Sequence, residues 1–277
     1  MPVDACRLIR KMRGGAQAHL IEAANGKWYV VKFLNNPQHR RVLVNEWLAA
    51  TFLRYLGLST PEPAIIRIGP EFLRDNPDCY IQLGTSRETV QAGWHYGSEF
   101  PGDPARLMIY DFLPDALLLK VENLREFVGM LAFDLWVGNA DSRQAIFFRA
   151  KLKEHLSASE AHPLRVGFVT LMIDHGYAFE GHHWRLNESP LQGLYYRPLV
   201  YEKVLGLEDF QPWLDRIIHF PETVVDQALK QIPPAWIEGD TKELENLLSQ
   251  LMRRRKRVPD LIDACRHGRN SPFPAWR

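Results

Sequence analysis

Four charged or amide residues are crowded into six positions of the stretch Phe133-Asp134-Leu135-Trp136-Val137-Gly138-Asn139-Ala140-Asp141-Ser142-Arg143-Gln144-Ala145-Ile146-Phe147-Phe148. Asn139, Asp141, Arg143 and Gln144 lie between an apolar run that reads as a buried helix and another that reads as a strand. Burying a carboxylate, a guanidinium and two amides is costly unless they are paired or ligated. An Asx-type turn accounts for such a knot by itself. A second acid downstream asks for more. Leu171-Met172-Ile173-Asp174-His175-Gly176 again runs apolar, then acidic, then glycine. Two acids closing two strands are what a metal–nucleotide site needs.

Two further charges stand in apolar surroundings. Lys32 sits inside Trp28-Tyr29-Val30-Val31-Lys32-Phe33, where it either snorkels at an edge or faces an anion. Glu46 interrupts a helical apolar face made by Val42, Leu43, Trp47, Leu48, Ala50 and Leu53. An acid on a buried-looking helix wants a cation, and Lys32 is the candidate.

The elements that must position these residues follow in order. Residues 13 to 34 read as a hairpin, with Arg13-Gly14-Gly15-Ala16-Gln17 as a flexible turn before it and Asn25-Gly26 between its strands. Residues 40 to 57 read as a helix with Gly57 as C-cap. Ala64 to Ile68 reads as a strand, and 69 to 105 as an irregular strand and a long loop around the island Cys79 to Leu83. Arg106 to Pro114 reads as an apolar strand crossing between two lobes, with backbone groups available to an adenine. Asn123 is placed to cap a helix running through Phe127, Leu131, Leu135 and Trp136. Phe147-Phe148-Arg149 and Val166 to Val169 read as strands flanking a polar insert at 150–165, which would bring Asp141 and Asp174 to one rim. Beyond Asp174 helical spacing dominates, and Arg253-Arg254-Arg255-Lys256-Arg257 reads as a solvated helix end favoured by the dipole rather than a nucleic-acid patch.

Composition bounds the function classes. The 277 residues suffice for a two-lobed protein with an ample core. A formal net charge of +1 gives no one-signed field for nucleic acid or a membrane surface, so direct nucleic-acid binding is not expected. Three separated cysteines fit neither a disulfide framework nor a zinc site. No run approaches a membrane span, and Met1-Pro2-Val3-Asp4 lacks the apolar core of a signal peptide, so a cytoplasmic protein is expected.

A strand-rich N-terminal lobe, a linker and a helical C-terminal lobe make an α+β, two-lobed, protein-kinase-like fold. The expected division is 1–113 for the nucleotide-binding lobe with its hinge and 114–277 for the helical catalytic lobe. Glycine loop, strand lysine, helix glutamate, hinge and two aspartates appear in the order that fold requires.

On these residues the chain resembles the HipA-like kinase family over most of its length. Gly14-Gly15-Ala16-Gln17 resembles that family's nucleotide loop, Tyr29 to Phe33 its lysine strand, and Asn45-Glu46 with Leu56-Gly57-Leu58 its glutamate helix. Gly138-Asn139-Ala140-Asp141 resembles its catalytic loop and Ile173-Asp174 its metal strand. The resemblance implies an ATP- and Mg²⁺-dependent phosphotransferase acting on Ser or Thr of a protein. The alternatives are a small-molecule or lipid kinase and a nucleotide-binding pseudokinase. Lys32 would hold the α/β-phosphates with Glu46 orienting it, and the N–H groups of Gly14, Gly15, Ala16 and Gln17 would cover the phosphates. Met108, Tyr110 and Phe112 would seat the adenine. Asp174 would ligate Mg²⁺, Asp141 would orient the acceptor hydroxyl, and Arg143 would meet the transferred charge or the acceptor.

The chain departs from the pattern in three places. The family carries histidine two residues and asparagine five residues after the catalytic aspartate, where this chain has Arg143 and Ile146. Ile146 ligates nothing, so Gln144 and Asn139 are the replacements, or activity is reduced. No Ser or Thr precedes Thr51, so the phosphorylation switch in the nucleotide loop of toxin members is absent. At 277 residues the chain is expected to lack much of the N-terminal subdomain of those longer members, so the resemblance by itself implies neither their protein substrate nor their DNA-binding partner. The acceptor itself is not legible.

Overall fold

Half-buried and exposed residues from Val3 to Lys11 lay down the first, outer wall of the molecule. The computed structural model describes residues 2–152, 165–188, 193–268 and 271–276. Strand β1 (Val3–Lys11) is followed by β2 (His19–Ala23) and β3 (Trp28–Lys32), each antiparallel to the one before. Strand β4 (Pro63–Ile68) lies parallel to β1. A short helix and a separate hairpin come next, α2 (Pro70–Asp75), β5 (Tyr80–Leu83) and β6 (Ser86–Thr89). Then β7 (Gly93–Glu99) inserts between β3 and β4 and closes the barrel in the order β1-β2-β3-β7-β4. Ile21, Val31, Phe33, Ile66 and Ile68 fill it.

Helix α1 (Arg41–Leu56) leaves the barrel at once, and Gly57 caps it in the left-handed region at φ 74 as its sequence predicts. Twelve of its 16 residues are buried, because it packs on the barrel with one face and on the C-terminal helices with the other. Trp47 Nε1–H donates to the Ala228 carbonyl at 3.1 Å, and Arg216 donates to the Leu56 carbonyl at 2.6 Å. Arg41 pairs with Asp240.

The C-terminal half is built on α4 (Glu126–Val137), preceded by the single turn α3 (Asp115–Leu118). It packs among α5 (Trp213–Ile218), α6 (Glu222–Leu229), α7 (Thr241–Arg254) and α8 (Val258–His267). Between the lobes lies the antiparallel pair β8 (Gln144–Lys151) and β9 (Val166–Ile173), with Gln144 opposite Ile173. Among the described residues no helix is long and apolar enough to cross a membrane.

Several expected elements change. Strand β1 was not legible as a strand, and residues 69–105 are more ordered than a long loop. Strand β7 hides in Gly-Trp-His-Tyr-Gly-Ser-Glu, where two glycines and the polar His95, Ser98 and Glu99 break the apolar alternation. Gly97 is needed there, since a Cβ would come 2.6 Å from the Ile66 side chain. The chain therefore leaves the barrel at Phe100, whose N–H still donates to Trp28. Residues 106–114 form no strand; Tyr110 alone bridges to Phe147. Asn123 caps no helix: its amide pairs both ways with the backbone of Thr170, at 3.0 and 2.9 Å. The basic run is a solvated helix end only in part, with Arg253, Lys256 and Arg257 exposed. Arg254 is buried and donates to the carbonyls of Leu135, Leu186 and Asn187, Arg255 donates to Phe220, and Arg257 pairs with Glu188. The polar insert falls mainly on residues outside those described.

Candidate active site

Lys32 ends β3 with its side chain buried. Its Nζ donates to Glu46 on α1 and, at 2.7 Å, to Oδ1 of Asp174 just past β9. Burial works against the ammonium, but the two carboxylates outweigh it and hold its pKa above the ordinary lysine value. The charge on Lys32 in turn holds Asp174 below the usual carboxylate range. Burial pushes Glu46 upward against the pull of Lys32. One ammonium thus faces two carboxylates, and the surplus negative charge sits on Asp174, whose side chain is 36% exposed. Such a group suits a hard divalent cation that arrives with phosphate oxygens and water, since Mg²⁺ needs only one or two carboxylates from the protein.

Asp174 adopts φ 57, a left-handed conformation rare outside glycine. Gly176 follows, and a Cβ there would lie 2.9 Å from Val42 and 3.6 Å from Lys32 Nζ. Only glycine lets the chain pass beneath the ion pair.

The loop from Gly138 to Arg143 hangs from the end of α4, which stops at Gly138 in the left-handed region. Asp134, one turn earlier, is fully buried and takes two hydrogen bonds from Arg143, through Nε at 2.9 Å and Nη2 at 2.5 Å. Arg143 Nη1 also donates to the Ile173 carbonyl at 2.8 Å and to His175 Nδ1 at 3.0 Å. His175 is therefore neutral with its proton on Nε2, which meets Thr60 Oγ1 at 3.0 Å. Burial, with the charge on Arg143, holds its pKa well below the ordinary histidine value. Gly193 packs on this knot so closely that a Cβ would lie 2.0 Å from that of Asp134.

Asp141 stands exposed at the end of this loop. Its Oδ1 accepts the Ser142 N–H at 2.7 Å, and its own N–H donates to Asn139 Oδ1 at 3.2 Å. The β8–β9 pairing brings Asp141 and Asp174 to the same end of the strand pair.

Other expected site residues sit differently. Arg143 is 3% exposed and spends its guanidinium inside, so it meets neither acceptor nor transferred charge. Asn139 is 1% exposed and donates to Asp134 Oδ1 at 3.0 Å; it shapes the loop and offers nothing to a metal. Gln144 opens β8 as an exposed residue, across from Ile173, the residue before Asp174. Ile146 belongs with Phe148, Leu171 and Ile173 to one apolar face. Met108 and Phe112 are 68% and 62% exposed, and both backbone groups of Tyr110 are engaged by Phe147. From that stretch it is Leu107 and Ile109 that turn onto the apolar face.

The glycine loop lies over the end of β1, with Gly14 at φ 114. Gln17 N–H closes the turn onto the Gly14 carbonyl at 3.1 Å and so is not available to phosphate. The Gln17 amide instead pairs with the backbone of Gln82, at 2.7 and 2.8 Å, tying the loop to the β5–β6 hairpin. Gly15 lies against Gln38, where a Cβ would come 2.9 Å from its amide nitrogen, and the Ala16 carbonyl accepts from Asn36.

Sequence reasoning quoted Asn45 and Asp134 but gave neither a role of its own. Both are polar residues inside otherwise apolar helical faces, the same signal that marked Glu46.

A five-stranded barrel, a helical lobe and a lysine held between a helix glutamate and a strand-end aspartate define the two-lobed protein-kinase-like fold. The chain belongs to the HipA-like kinase family, whose model matches residues 6–260. Kinase-type phosphoryl transfer is the activity class that goes with it. Solved structures agree on the fold. The hydra Fam20 structure with sugar is 14% identical with a TM-score of 0.54, covering 97% of this chain and 87% of that one. The Helicobacter pylori proinflammatory kinase CtkA is 14% identical with a TM-score of 0.52, covering 96% and 99%. The Golgi casein kinase is 13% identical with a TM-score of 0.51, covering 97% and 72%. A comparison with curated proteins finds no match.

Proposed function

We propose that this protein is an ATP- and Mg²⁺-dependent kinase that phosphorylates Ser or Thr hydroxyls of a protein. The observation that carries the reading is the Lys32 ammonium held between Glu46 and Asp174. Phosphoryl transfer asks a protein for positioning and charge neutralisation more than for covalent chemistry. Lys32 binds the nucleotide phosphates, and Glu46 keeps it aimed. The N–H groups of Gly15 and Ala16 approach the phosphates where the loop carries no bulk. Asp174 and Gln144 are the residues that would hold Mg²⁺, which supplies charge neutralisation between the phosphates. Ile146, Ile173 and Ile109 present an apolar floor to the adenine. Asp141 orients the acceptor hydroxyl and takes its proton as the new P–O bond forms.

The surroundings of Asp141 favour a macromolecular acceptor. Ala140, Asp141, Ser142 and Gln144 are exposed, and Tyr196 beside them is 87% exposed. Small molecules are normally enclosed on most of their surface, whereas this is an open shelf. A cavity of about 680 Å³ lies elsewhere, at the outer wall of the barrel near Arg67 and Trp94, and contains none of the site residues.

The buried Ile146 supports a second reading, a nucleotide-binding regulator without transfer. Incubation of the protein with γ-labelled ATP, Mg²⁺ and a cell lysate separates the readings. Label in a protein band, on Ser or Thr, supports the first. Label only in small molecules shifts the acceptor class, and nucleotide binding without label supports the regulator.

A further inference from the structure

Asn45 immediately precedes Glu46 on α1 and is completely buried between Val44 and Trp47. Asparagine is a poor helix-interior residue, and a buried amide is costly unless its hydrogen bonds are met. Here they are met by one short segment. The Asn45 Nδ2 protons are shared among the carbonyls of Gly176 at 2.8 Å, Gly181 at 2.9 Å and Ala178 at 3.1 Å. Its Oδ1 accepts Trp184 Nε1–H at 2.8 Å.

That segment begins at Asp174 and is bent into conformations that ordinary residues avoid. Asp174, Phe179, Glu180 and Trp184 all have φ between 53 and 59. Residues so held persist only where their surroundings over-determine them. The left-handed turns point three carbonyls at one amide, and Asn45 supplies the donors. The same segment reaches the catalytic loop from its other side. Ala140 N–H donates to the Tyr177 carbonyl at 3.0 Å, and Glu180 N–H donates to the Gly138 carbonyl at 3.1 Å.

We infer that Asn45 is a positioning residue that fixes Glu46, Asp174 and Asp141 relative to one another through the 174–184 segment. The inference rests on the kinase reading for its consequence but not for its geometry. Helix α1 is fastened to the C-terminal helices at its start, middle and end, through Asp240, Ala228 and Arg216. Asn45 joins that fixed helix to the loop that carries the metal aspartate. The glutamate helix and the two acids then behave as one body, against which the barrel brings Lys32 and the glycine loop.

Hydrogen exchange tests the geometry. Asn45→Ala is expected to speed exchange of the amides in 174–184 and of Ala140 by about tenfold or more, while the barrel strands exchange as in the wild type. If Asn45→Ala does not fold, Trp184→Phe removes one of the four contacts and is expected to give the same pattern at smaller size. Exchange in 174–184 within about twofold of wild type in the folded variant overturns the inference. A cycle of Asn45→Ala with Glu46→Gln tests the consequence. The losses in kcat are expected to be strongly less than multiplicative, because both changes release the same aim; independent losses overturn the positioning role. A wild type that binds no nucleotide defeats the kinase reading, and the exchange result then decides Asn45 alone.

Discussion

Lys32 Nζ lies 2.7 Å from Oδ1 of Asp174, joining the third barrel strand to the end of β9 across 142 residues of chain. The contact sets the charge of the cleft and gives the two lobes a common point. Lys32→Ala leaves Glu46 buried without its cation. The expected result is at least tenfold weaker ATP binding together with a loss of about 3–5 kcal/mol of stability, read by isothermal titration and by denaturant unfolding. Unchanged affinity would remove Lys32 from the nucleotide site.

Asp141 is exposed and holds only local backbone bonds, so its replacement leaves the fold alone. Asp141→Asn is expected to lower turnover by about 10²–10⁴-fold while ATP affinity stays within about twofold, measured by label transfer and titration. An Asp141→Asn enzyme with normal turnover contradicts its role.

Arg143 and Gln144 are neighbours with opposite expectations. Arg143→Ala strands the buried Asp134 and is expected to cost about 3–5 kcal/mol in denaturant unfolding. Gln144→Ala is expected to leave the unfolding midpoint unchanged and to raise the Mg²⁺ concentration needed for half-maximal transfer. The reverse assignment, a stable Arg143→Ala protein with lost turnover, would return Arg143 to the acceptor side.

Stability should fall in mild acid. His95 is buried in the barrel, and burial lowers its pKa from 6.5 to about 4. Because the folded value lies below the unfolded one, the unfolded chain takes up a proton first as pH drops. Stability present above about pH 6.5 is therefore lost progressively toward pH 4, by about 3 kcal/mol from this residue. His175 adds to the same slope, since its shift has the same sign. Denaturant unfolding at pH 7.5 and pH 5 measures the loss, and His95→Asn should flatten it.

The residues legible in the sequence were those whose charge clashed with their neighbours. Lys32, Glu46 and Asp174 each sat in an apolar run, and the structure brings the three together. Asp134 and Asn45 carried the same signal more faintly, in helices apolar enough to read as plain core. Strand β7 was hidden because Gly97 answers to the close approach of Ile66 and Tyr29, a tertiary cause that local propensity does not register. Arg106 to Pro114 reads as a strand in sequence, but only Leu107 and Ile109 pack on the apolar face of β8 and β9, Tyr110 makes a single bridge to Phe147, and Met108 and Phe112 are exposed. Arg143 was expected at the acceptor or the transferred charge and Asn139 at the metal, but Asp134, nine or five residues earlier on the helix, claims each of them.

The nucleotide-bound state gives the most direct test, through the thermal shift produced by ATP with and without Mg²⁺ in the wild type and in Asp174→Ala. Ligand that binds only the folded state stabilises it by linkage, and the surplus charge on Asp174 assigns the metal-dependent part to that carboxylate. The predicted result is a clear Mg²⁺-dependent increment in the wild type that disappears in Asp174→Ala, with label transfer abolished. An Asp174→Ala protein that keeps the full Mg²⁺-dependent shift would place the metal elsewhere and contradict the active site described here.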